Sequence, residues 1–180
     1  MRQFIILTFL ICSNLSFSQD FQFEDVVKVD STVSKDELFN RARTWIGKTY
    51  NDEKFVIATE DRNNGELSGN GAMDYNPGRM FFGRDVVKGE INYKINLYVK
   101  DGRYKYIFHS FRHTGQSIGM NKPINYGIIT GSADAPKPSR GSASNVAWKD
   151  IKEVSEFKIK KTIESLKEAM NKKYEASKEW

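Results

Sequence analysis

The chain has 180 residues, 28 basic and 23 acidic, for a formal net charge of +5, with a single cysteine. One cysteine excludes an internal disulfide framework, so burial and backbone pairing must hold the fold by themselves. The length suits one domain, the basic residues are interspersed with acidic ones rather than gathered into a run, and no apolar stretch reaches the ~20 residues a membrane-crossing helix needs.

The opening residues, MRQFIILTFLICSNLSFSQ, place Arg2 before an apolar run from Phe4 to Cys12, followed by small polar residues. This is the layout of a secretory signal, so 1–18 reads as a signal peptide cleaved after Ser18 and 19–180 as a single α+β domain. A lipidated Cys12 would want a small residue before it, and Ile11 stands there. The exported chain is therefore expected to carry no thiol. In FQFEDVVKVD, Phe23, Val27 and Val29 alternate with charged residues, which predicts a strand with one wet face. In SKDELFNRARTWIGKTY, Ser34 and Glu37 form a capping box, and Leu38, Phe39, Ala42, Trp45 and Ile46 recur at helical spacing until Gly47.

Residues 54 to 113 read as two hairpins. The first joins KFVIATED to ELSGNGAMDY; a three-residue loop, Asn63 to Gly65 with Gly65 left-handed, would pair Phe55 with Met73 and keep the apolar residues together. The second joins GEINYKINLYVK to RYKYIFHSFRH through Asp101-Gly102, a favoured pair for a two-residue turn. That turn fixes a register. Val99 faces Tyr104, Leu97 faces Tyr106, Ile95 faces Phe108 and Tyr93 faces Ser110, on the apolar side. On the other side Tyr98 faces Lys105, Asn96 faces Ile107, Lys94 faces His109, Asn92 faces Phe111 and Glu90 faces His113.

From Gly115 the pattern dissolves into a Gly, Ser, Ala and Pro-rich stretch, and 115–147 is expected to be a flexible loop. A last helix beginning at Asp150 or Ser155 carries Ile159, Ile163, Leu166 and Met170 on one stripe and frays past Lys172.

The chain's two histidines both lie in YKYIFHSFRHTG. On a strand, His109 and His113 sit ~13 Å apart along the backbone, too far to share a zinc ion. No third histidine exists to complete a site, so neither metal nor cofactor is expected. Strict alternation turns Ser110 to the opposite face from both imidazoles, which argues against a serine nucleophile. LSGNGAMDYNPGR is glycine-rich but lacks the Gly-Lys-Ser/Thr ending of a phosphate loop.

With both helices on the apolar side of an antiparallel sheet, the other side carries Lys94, Asn96, Tyr98, Ile107, His109, Phe111 and His113. This mixture is the candidate ligand-contact face.

The order of strand, SKDELFNRARTWIGKTY helix, KFVIATED to GELSGNG hairpin, INYKINLYVKDGRYKYIF hairpin and terminal helix resembles a family of exported domains of unknown function with a TATA-binding-protein-like fold, found in Gram-negative bacteria. The resemblance covers 22 to 113 and the last helix, and 115 to 147 has no counterpart in it. It implies strand, helix, four strands, helix, and a place in the periplasm or cell envelope, and it assigns no catalytic residue. Nucleic acid is not an expected partner, because the face lacks the Arg and Lys run that would neutralise phosphates. The expected role is non-catalytic binding of an envelope protein or ligand. The alternatives are a small periplasmic hydrolase using His109, His113 and Glu90, or a structural subunit forming a homo-oligomer.

Overall fold

A helix start and a strand reversal are tied together at one end of the sheet. Ser34 caps α1 (Lys35–Thr49), its hydroxyl accepting from the Glu37 amide at 3.2 Å. The next amide, that of Lys35, donates to the Asp101 carboxylate at 2.6 Å. The Glu37 side chain does not reach back to complete the box. It pairs with the Arg41 Nε at 2.8 Å, and Arg41, buried, passes a second bond to the Met170 carbonyl at 2.7 Å near the end of the other helix. Gly47 lies within α1 and does not end it.

The computed structural model describes residues 21–50, 56–117, 119, 122–136 and 144–172. Its strands are β1 (Phe23–Lys28), β2 (Val56–Asp61), β3 (Glu66–Tyr75), β4 (Gly89–Lys100), β5 (Arg103–Gly115) and β6 (Gly127–Ile128), with α2 (Ser144–Asn171) at the end and a 3-10 turn at Arg84–Val87 before β4. All pairings are antiparallel, in the order β1-β5-β4-β3-β2, and β6 also pairs with β5. This is an α+β fold. Leu38, Phe39 and Trp45 of α1 and Ile151, Ile159 and Leu166 of α2 are buried in one core with Ile95, Leu97 and Phe108 of the sheet. The stripe predicted for the last helix is the buried one.

Further expectations change. In the first hairpin the loop is Arg62 to Gly65, with Asp61 opposite Glu66, and a register shift between Ile57 and Thr59 absorbs the extra residue. The Asp61 carboxylate accepts from the Asn64 amide and side chain and shapes this longer turn. Gly65 is left-handed as expected, at φ 69°, and a Cβ there would stand 2.5 Å from the Val99 carbonyl. Phe55 lies outside the described residues, and Met73 pairs with Ile91.

Within the 115–147 stretch, the described residues around Tyr126 and Ile129 are packed. The Ile129 amide donates to the Phe111 carbonyl at 2.8 Å, Tyr126 and Ile129 are buried, and the Tyr126 ring stacks on Trp148 at 5.8 Å. Finally, α2 begins at Ser144, because Trp148 and Ile151 continue the stripe of Ser155 and Ile159 toward the N-terminus and are buried with it.

The Asp101-Gly102 turn closes β4 onto β5 with Lys100 opposite Arg103, and the predicted pairs hold from Val99–Tyr104 to Lys94–His109. Beyond them the register slips by one, so that Asn92 faces Arg112 and Ile91 faces His113. Tyr93 thus stands against two residues, Ser110 and Phe111, in a bulge. Ser110 has φ 57°, the one non-glycine with positive φ among the described residues. Glycine is the usual occupant of such a position, since a Cβ there costs ~1–2 kcal/mol. We expect Ser110→Gly to leave the urea midpoint unchanged or raise it, and Ser110→Val to destabilise by ~1–3 kcal/mol. Equal stability of the two variants would contradict the left-handed bulge.

Candidate functional site

Cross-strand pairing sets out the uncovered side of the sheet as rows. Nearest the Asp101 turn, Val26, Lys105, Tyr98 and Glu66 run across β1, β5, β4 and β3. The next row is Glu24, Ile107, Asn96 and Ser68, followed by His109, Lys94 and Asn70. Below the bulge come Ile128, Arg112, Asn92 and Ala72, then Thr114, Glu90 and Asp74. Apolar surface gathers at the turn end, where Val26 is 54% exposed and Tyr98 and Ile107 are half-buried. Lys105, Glu66 and Glu24 lie among this apolar group, Lys94 and Arg112 stand in the middle, and Glu90 and Asp74 at the far end.

Of the seven residues predicted to share this face, Lys94, Asn96, Tyr98, Ile107 and His109 do. Phe111 and His113 do not. The bulge inserts one residue between them and Phe108, so side chains after Ser110 point inward at odd rather than even positions. Phe111 is fully buried, edge-on to Phe21 and Phe23 at 5.2 and 5.8 Å and stacked on Tyr93 at 5.5 Å. His113 is buried too, its Nε2 2.9 Å from the Val87 carbonyl and its Nδ1 accepting from the Tyr126 amide at 3.3 Å. A carbonyl only accepts and an amide only donates, so the ring is the neutral tautomer with its proton on Nε2. Burial holds its pKa below the ordinary value, with the Val87 bond opposing. His113 is a packing residue that ties the 3-10 turn to the segment before β6. Glu90 pairs with Thr114 instead of His113, so the trio proposed for hydrolysis is not assembled.

Ser110 is a second correction. Alternation predicted that no imidazole could reach its hydroxyl, but the left-handed backbone swings it beside His109, whose Nδ1 lies 2.9 Å from the Ser110 Oγ. Burial, and then the charge of Lys94, lower the His109 pKa. Among the described residues no carboxylate touches the His109 ring, so nothing there orients it as a base for the serine. No group of His, Cys, Asp and Glu among the described residues could hold a metal.

The bulge also opens a gap. β1 pairs with β5 from Arg103 to Phe108 and β6 pairs with it at Arg112 and His113, so two strands run in line along one edge with a break between them. A cavity of about 410 Å³ lies at this break, with Lys94, His109, Ser110 and Arg112 on its polar side and Phe21 and Ile128 on its apolar side. Sequence reasoning missed Ser110 and Arg112. The trace they left is the spacing in FHSF, where two buried phenylalanines stand three apart and cannot both obey a period of two.

A family model described as a domain of unknown function (DUF4468) with TBP-like fold matches residues 23–114. Among solved structures, the chain is similar to a TBP-like protein from Parabacteroides distasonis ATCC 8503, at 16% identity and a TM-score of 0.59 over 81% of this chain and 92% of that one. It is also similar to a DUF4468 family protein from Bacteroides ovatus ATCC 8483, at 13% identity and a TM-score of 0.58 over 86% of this chain and 88% of the other. No curated protein matches it. At these identities the likeness establishes the fold and no activity.

Proposed function

The chain belongs to the DUF4468 family of domains with a TBP-like fold, and from that membership we propose that it is an exported, non-catalytic binding module of the periplasm or cell envelope. It engages an envelope protein or ligand through the uncovered sheet face. The observation that carries this reading is the placement of both described helices against one side of the sheet, which leaves Val26, Tyr98 and Ile107 on the other among polar neighbours. A surface that only meets water has no need of this apolar group, whereas recognition surfaces combine apolar contact with fixed polar groups.

Export is read from the apolar run at Phe4 to Cys12 and the small residues ending at Ser18. No helix among the described residues is long and apolar enough to cross a membrane. Nucleic acid is a poor fit, since Glu24, Glu66, Asp74 and Glu90 share the face with its cations and would repel a phosphate backbone. Binding is favoured over hydrolysis because His113 is committed to packing and His109 lacks an orienting carboxylate.

Photo-crosslinking in the cell that makes the protein tests the reading. A crosslinking amino acid at Asn96 or Tyr98 should give one discrete adduct, and the same group at exposed Lys48 on α1 should give none. Adducts of the chain with itself would favour the structural-subunit alternative. Equal labelling at Lys48 and Asn96 would refute the open face as the binding surface.

A further inference from the structure

We propose that the break between β1 and β6 is a binding pocket for a small organic anion, a carboxylate joined to an apolar body. This deepens the open-face reading and rests on it.

Three observations converge on this pocket. The cavity of about 410 Å³ falls in the range of roughly 300–1,000 Å³ usual for small-molecule sites. Two cations line it, Lys94 from β4 and Arg112 from β5, and neither has an ion-pair partner among the described residues, although many other exposed cations of the chain do. No acidic side chain lines it. The bonded Ser110–His109 pair adds one donor for an oxyanion, the hydroxyl when Nδ1 carries the ring proton or Nε2 when the hydroxyl donates to Nδ1, and the bulge that presents the hydroxyl is held against its own backbone preference.

The opposite wall decides what kind of anion fits. Phe21 packs edge-on to Phe23 and Phe111 and is fixed by them, and Ile128 is 57% exposed beside it. An inorganic ion would satisfy the cations and leave this wall wet. A carboxylate with an alkyl or aryl body would cover both. Arg112 can offer a carboxylate two parallel donors, and Lys94 a point charge from the neighbouring strand.

The test titrates the purified chain with octanoate and follows backbone amide resonances, with acetate as the anion lacking an apolar body. Octanoate should shift the amides of His109, Ser110, Arg112 and Ile128, and acetate should bind about tenfold more weakly or not at all. Arg112→Gln and Lys94→Gln, both at exposed positions, should each weaken octanoate about five- to tenfold while leaving the fold intact. The proposal is overturned if octanoate shifts are spread over exposed apolar residues such as Met80 and Phe82, or if neither variant changes its affinity. Acetate binding as tightly as octanoate would overturn the apolar half. A discrete adduct at Asn96 alongside a failed titration would remove the pocket and leave the open-face reading standing. Loss of both would remove the two together.

Discussion

Phe111→Ala is expected to lower the free energy of unfolding by ~3–5 kcal/mol, the range for emptying a fully buried aromatic site. Phe111 has no exposed surface and fills the space between Phe21, Phe23 and Tyr93, at the point where the edge strand β1 begins. Its removal opens a cavity that the neighbouring rings cannot close without disturbing the start of β1. Ile107→Ala, four residues away on the open face, serves as the control and should cost about 1 kcal/mol or less. Urea unfolding of both variants, with the slope checked for a change in the denatured state, measures the difference. Unbroken alternation through Ser110 would make both positions surface sites and both changes mild, so a small effect at Phe111 would show that the bulge is absent.

The Asp101-Gly102 turn and Ser110 mark where the sequence could be read and where it could not. Asp101-Gly102 fixed six consecutive pairs of the central hairpin, from Val99–Tyr104 to Lys94–His109, because turn chemistry and a period of two agree there. The capped helix and the Ile159 to Met170 stripe were legible for the same reason, local signal and tertiary burial pointing the same way. The error began at Ser110, where a non-glycine takes a conformation that sequence rules reserve for glycine. A single bulge then inverted every assignment downstream, sending Phe111 and His113 into the core and bringing out Arg112. The segment around Tyr126 was illegible for a different reason. Its composition is that of a loop, and its order comes from contacts distant in sequence, with Trp148 and His113.

Asp150→Ala should cost ~2–4 kcal/mol, the second large effect expected of a single change. Asp150 is 1% exposed, and one of its oxygens accepts from both the Tyr75 hydroxyl at 2.7 Å and the Gly78 amide at 3.0 Å. These bonds clamp the end of β3 and the loop after it onto the first turns of α2. Burial, then the bond to Asp150, drive the Tyr75 phenol well above its ordinary pKa, so it stays protonated and keeps donating. Alanine would leave the buried Tyr75 hydroxyl with no acceptor, at a cost on the order of 1–3 kcal/mol, and would release the more exposed Gly78 amide to water. Asparagine keeps an acceptor oxygen in the same place, so Asp150→Asn should recover at least half of the loss. Tyr75→Phe removes one donor, and the double change Tyr75→Phe with Asp150→Ala should cost less than the sum of the two by ~1–2 kcal/mol. Simple additivity in that cycle would mean the two side chains contribute independently, and the clamp would then have to reside in the contacts of Asp150 with Gly78 and with Arg79, whose Nε lies 4.0 Å from its other oxygen.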